Sequence, residues 1–200
     1  MKHKKELTHT ESRTRCLLLM DILILAGVTA GAFLAAFRGT DELWLHQRFS
    51  PIYSGNTLLE VFGNTFLISG MFLAAEFLFG FFSCGQPVGL ALLVFRGFGI
   101  GAAVAQMYMS GGFGAVVPVL VLVVPKALAV SFVTALGARE MLKMSNVQFR
   151  FLFRDELPDE KISRAVKLYF IKFIVLLLLI LFIAMADSAL NYIFIDLYQS

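Results

Sequence analysis

Glu76, Arg96 and Lys126 are charged residues set inside long apolar stretches of this chain. Ionisable groups in such settings are costly, and they pair or line a water-accessible interior that passes ions or substrates. Glu76 lies six residues before the end of one apolar run and Arg96 eight after the start of the next, roughly 9 Å and 12 Å deep at the helical rise. On consecutive antiparallel helices these opposite charges fall at similar depth. We therefore expect an intramembrane ion pair that fixes two helices, with a substrate or ion pathway as the functional alternative. Lys126 follows Pro125 near the centre of another run. Proline there frees a backbone carbonyl to which the ammonium can donate, making a helix kink at Pro125 and Lys126. A cation-dependent transport step is the alternative, but no matching acidic relay stands beside the lysine.

Gly97-Phe98-Gly99-Ile100-Gly101-Ala102 matches the spacing of a phosphate-cradling glycine fingerprint. It lies within an apolar span, with no strand before it and no βαβ unit around it, so the fingerprint lacks its context. Gly97, Gly101 and Ala105, four residues apart, instead make a small-residue face for helix packing. The histidines are His3, His9 and His46, none of them at catalytic spacing from a serine, cysteine or carboxylate. Cys16 and Cys84 belong to no CxxC or Cys/His cluster, which leaves a disulfide framework or zinc site unsupported. We expect no catalytic residue, no metal and no cofactor.

The elements that position these residues follow from composition. The 200 residues are 58% apolar and 16% charged, with a mean hydropathy of +0.80, against about 25% charged in soluble domains. The net charge of +3 comes from Lys and Arg in two tracts beside apolar runs, a pattern of membrane orientation rather than of nucleic-acid binding. A bilayer core needs about 20 apolar residues per helix. Five runs qualify: 16–37, 58–82, 88–109, 115–136 and 168–186. The first exceeds the core of a cleavable signal and reads as a retained helix. The expected fold is thus a single all-α, polytopic transmembrane helical bundle of about five spans, the third and fourth irregular at Arg96 with its glycines and at Pro125-Lys126.

Lys and Arg resist translocation, so short basic segments mark the cytoplasmic side. Residues 1–15 carry Lys2, Lys4, Lys5, Arg13 and Arg15, and the stretch 139–167 carries Arg139, Lys143, Arg150, Arg154, Lys161, Arg164 and Lys167. With five crossings both are cytoplasmic. The first loop, with Trp44 and Tyr53 as interfacial anchors, and the C-terminus are then outside. Within the 139–167 loop, Val147, Phe149, Phe151, Leu152 and Phe153 are compatible with a short amphipathic piece at the membrane surface or with an ordinary solvated loop.

The stretch from Phe77 to Leu142 resembles the stage II sporulation protein M family of endospore-forming bacteria. The resemblance rests on Gly85-Gln86-Pro87, then Phe95-Arg96-Gly97-Phe98-Gly99-Ile100-Gly101, the turn Gly111-Gly112-Phe113-Gly114, and an apolar helix broken at Val124-Pro125. A basic tail before the first helix and a last helix ending in an acidic residue and aromatics, Asp187 and Tyr192, are also similar. Two departures are Lys126, where the family pattern has an amide side chain, and the lack of a proline after Tyr192. The resemblance implies a non-enzymatic scaffold acting in forespore engulfment. Its partners would be membrane lipids and two peptidoglycan hydrolases, an amidase and a lytic transglycosylase, held at the septal membrane; nucleic acid is not expected. The competing reading is a permease-like subunit in which Glu76, Arg96 and Lys126 line a polar path for an ion or small solute.

Overall fold

The structure is a computed structural model describing residues 2–38, 58–83, 85–154 and 159–199, with side chains for 18–37, 58–83, 85–109, 111–151 and 162–194. The first loop with Trp44, His46 and Tyr53, the side chains of the N-terminal tail, and Cys84 lie outside the described residues. Every described element is helical: α1 (Lys2–Arg38), α2 (Leu58–Phe79), α3 (Gly85–Gly111), the short α4 (Val116–Pro118), α5 (Val124–Arg154) and α6 (Asp159–Gln199). Five stretches of these helices are long and apolar enough to cross a membrane. The shortest complete helix among them, α2 with 22 residues, reaches about 33 Å at 1.5 Å per residue.

Side chains are sorted in the opposite sense to a water-soluble protein. Leu59, Met71, Phe37 and Phe182 are among the large apolar residues turned outward, while Glu76, Arg96, Ser69, Thr134, Asp187 and Asn191 are buried between helices. That sorting is stable where the surrounding solvent is hydrocarbon, because exposed apolar surface then carries no hydration penalty and polar groups must find partners inside. The chain is a multi-pass, all-helical membrane protein.

α3 runs unbroken through Arg96 and its glycines, so the irregularity expected across the third and fourth spans is confined to residues 112–125. A single 3₁₀ turn (Gly112–Ala115) reverses the chain, with Gly112 at φ 53°, a left-handed conformation that costs glycine nothing. α4 then passes into a π-helical turn at Val119–Val123, closed by the Val124 N–H on the Val119 carbonyl. Pro125 accounts for this wide turn: in a regular helix its ring would strike the carbonyl four residues earlier, and it has no N–H to donate.

The polar stretch 139–167 is not an open loop. α5 continues to Arg154 and α6 begins at Asp159, because the segment is built from good helix formers that extend each helix beyond its apolar part. Val147, Phe149 and Phe151 accordingly belong to the last turns of α5 rather than to a separate surface helix. Lys143, Arg150, Arg164 and Lys167 are exposed here, and we call this the basic end of the bundle; the turn Gly112–Ala115 marks the far end.

Packing forms two groups joined through α3 and α5. α1 lies chiefly on α3, whereas α2, α5 and α6 pack on one another; α3 also packs on α5, where Leu93 meets Ala135 and Ala138. Along α6 the buried positions Tyr169, Phe173, Leu176, Ile180, Ala184, Asp187 and Asn191 recur every three or four residues, a helical seam that is apolar in the middle and polar at both ends.

Candidate functional site

The buried face of α2 consists of Val61, Thr65, Ser69, Leu73 and Glu76. Three of these five are polar and share one side of the helix, so α2 carries a ladder of polar groups through the bundle. Between them the rungs meet α3, α5 and α6.

At the far end, the π turn brings Lys126 toward α2 and α6. Its Nζ lies 2.7 Å from Asp187 Oδ2 and donates to Thr65 Oγ1 at 2.8 Å. The Thr65 hydroxyl in turn donates to the same Asp187 oxygen at 2.7 Å. Asn191, one turn along α6, donates from Nδ2 to the Asp187 backbone carbonyl at 2.9 Å and to Asp187 Oδ1 at 3.3 Å. Both carboxylate oxygens therefore accept hydrogen bonds, and the Asp187 side chain is 2% exposed. Ser188 adds a bond to the Leu58 carbonyl at 2.8 Å, holding α6 against the first turn of α2. Charge-assisted bonds of this kind are stronger than neutral ones, and here they tie α2, α5 and α6 together.

In the middle, Arg96 of α3 donates from Nη2 to Ser69 Oγ at 3.3 Å, and its guanidinium lies 5.1 Å from the centre of the Phe72 ring, within cation–π range. Glu76 is next on the ladder and fully buried, at 0% exposure. The charges of Glu76 and Arg96 act on each other, yet neither Glu76 carboxylate oxygen accepts a hydrogen bond from any described group. The carboxylate fits against α5 because Gly137 has no side chain: a Cβ there would lie 2.1 Å from Glu76 Oε2.

At the basic end the last carbonyls of α2 and of the turn that follows it are held by hydroxyls from the other helices. Tyr169 donates to the carbonyls of Phe77 at 3.0 Å and Glu76 at 3.2 Å, and Ser145 donates to that of Phe82 at 2.9 Å. Nearby, Glu140 of α5 accepts from Lys172 of α6 at 2.6 Å and also pairs with Lys143.

The remaining glycine candidates lie where α3 meets α1. Gly97 and Gly101 press on the backbone of α1, where a Cβ would come within 2.1 Å of the Ile24 carbonyl and 2.0 Å of the Val28 carbonyl. Gly27 and Gly31 answer from α1, each with a Cβ position 2.2 Å or less from a carbonyl of α3. Ala105, one turn on, is only half-buried. Pro125 is exposed, and Lys126 reaches Asp187 and Thr65 rather than the carbonyl that the proline frees.

Sequence reasoning thus singled out Lys126 without its acid. Asp187 fell one residue past the end assigned to the fifth span, although its four-residue spacing to Asn191 within an apolar helix was a readable signal. So were Thr65, Ser69 and Glu76, at four- and seven-residue intervals on α2, and Gly27 with Gly31 as the counterpart of Gly97 with Gly101. Among the described residues no three His, Cys, Asp or Glu side chains gather as a metal site would require. Comparison of the chain with protein-family models, with curated proteins and with solved structures finds no match.

Proposed function

We propose that this chain is a non-enzymatic membrane scaffold that anchors peptidoglycan-degrading partners, an amidase and a lytic transglycosylase, at the septal membrane during engulfment of a forespore. The partners come from the resemblance to the stage II sporulation protein M family. The observation that supports a holding role is the Lys126–Asp187–Thr65–Asn191 cluster, in which the charges buried at the far end are fully engaged in tying helices together. A bundle locked in this way is a firm base for other proteins, and its outward apolar faces suit lipid and partner helices. In this reading the N-terminal tail and the basic end face the cytoplasm, and the first loop and the C-terminus face the wall-degrading domains outside.

The test is affinity purification of the full chain from sporulating cells after mild crosslinking. The scaffold reading expects both hydrolases to be recovered with it, and to lose their septal position in cells that lack the chain. If the hydrolases remain at the septum without it, the reading is wrong.

A further inference from the structure

The polar groups of α2 differ in how completely they are engaged, and Glu76 stands apart. A fully buried carboxyl whose two oxygens meet no donor is unfavourable in any low-dielectric interior. Inside membrane bundles, ionisable groups in such positions mark substrate or ion pathways and proton relays. Here the place has been made for it, because Gly137 leaves the room the carboxylate occupies.

The neighbouring polar groups form a line. Toward the far end lie Arg96 with Ser69, then Thr65, Lys126 and Asp187, then Asn191. Toward the basic end lie the Tyr169 hydroxyl, on the Glu76 and Phe77 carbonyls, and then Glu140 with Lys143 and Lys172. Groups able to donate or accept a proton are thereby spread along the bundle, with Glu76 between the two ends. Seven residues separate Ser69 from Glu76, a rise of about 10 Å, so a proton passing between these rungs would need intervening water.

We propose that Glu76 is the central proton-binding group of a proton path through this bundle, between Glu140 and Tyr169 at the basic end and Asp187 and Asn191 at the far end. The step is simple in its balance: a proton entering from one side converts the Glu76 carboxylate to the acid, and the same proton leaves to the other side. One charge crosses per proton, and no redox partner takes part. Arg96 on α3 and Tyr169 on α6 are the titratable groups whose charges interact with that of Glu76. A metal cation is the poorer fit, since Glu76 offers two oxygens where a hard cation takes roughly six and the charge that acts on it is the positive Arg96. This function is independent of whether the chain holds hydrolases.

Purified full-length chain in liposomes with an entrapped pH dye, under a potassium diffusion potential set by valinomycin, reads the path directly. Proton uptake that follows the imposed potential is expected for the native chain, with loss to the level of empty liposomes in Glu76→Gln and partial retention in Glu76→Asp. Thermal unfolding of each variant separates loss of conduction from loss of fold. A second measurement needs no variant: dicyclohexylcarbodiimide, an apolar reagent, adds a protonated carboxyl across its C=N bond, after which the acyl group migrates to nitrogen as a stable N-acylurea. Mass spectrometry should find that adduct on Glu76, at a yield that falls as pH rises. Native flux no greater than that of empty liposomes, undiminished flux in a folded Glu76→Gln variant, or an unlabelled Glu76 at every pH overturns the proposal.

Discussion

The two halves of this bundle are held by different physics. α1 and α3 meet backbone to backbone, with Gly27 and Gly31 facing Gly97 and Gly101 so closely that a single methyl at any of the four would enter a carbonyl of the other helix. α2, α5 and α6 meet through side chains, polar at the two ends and apolar between, where Leu73, Val133, Phe173, Leu176 and Ile180 pack together. The first arrangement gains dispersion from close approach and has no tolerance for added volume. The second tolerates volume changes better but depends on charges that must stay matched.

The largest expected effect is therefore on the polar side. Asp187→Leu leaves the Lys126 ammonium without its carboxylate, and removing one partner of a buried pair costs about 3–5 kcal/mol. Equilibrium unfolding of the chain in lipid bicelles should read that loss, and Lys126→Met added to Asp187→Leu should recover most of it, since two apolar side chains replace the pair. A double variant as unstable as Asp187→Leu alone would show that the cluster is not held by charge matching.

Next in size is Gly101→Val, which drives a side chain into the Val28 carbonyl, 2.0 Å from the ideal Cβ position. Backbone cannot yield as a side-chain tip does, so we expect about 1–3 kcal/mol of overpacking. The comparison predicts where the damage falls: amide hydrogen exchange should accelerate along α1 and α3 while α6 keeps its protection. Equal acceleration in α6 would mean that the two halves are not separate packing units.

These contrasts explain how much was legible in the sequence. Span number and helical class follow from hydropathy over about 20 residues, a signal strong enough to survive every local irregularity. The glycine face at Gly97 and Gly101 was readable because small-residue spacing is a property of one helix. Lys126 and Asp187 lie on different helices far apart in the chain, and nothing local says which buried acid meets which buried base. The π turn hid the lysine further, since a widened turn rotates everything after it relative to a regular helix. Glu76 and Arg96 show the reverse: depth alone placed them in one layer, but depth does not fix side-chain direction. Arg96 turns to Ser69 and Phe72, and Glu76 turns to the hollow at Gly137.

The smallest expected effect tests the basic end of the same seam. Tyr169→Phe removes the hydroxyl that bridges α6 to the carbonyls of Glu76 and Phe77, and an interhelical hydrogen bond in a membrane bundle contributes about 0.6 kcal/mol. The ring itself stays. It stacks on Phe77 at 5.4 Å between centroids and touches Phe173 at 4.6 Å, so its dispersion contacts survive the change. The Glu76 carbonyl also keeps a partner, because it accepts from the Gly80 N–H at 3.1 Å. Bicelle unfolding should thus separate Tyr169→Phe only slightly from the native chain while Tyr169→Ala, which empties the seam, falls by about 3–5 kcal/mol. A Tyr169→Phe variant as damaged as Tyr169→Ala would move the weight of this end from ring packing to the hydroxyl, and the two ends of α6 would then be held in the same way.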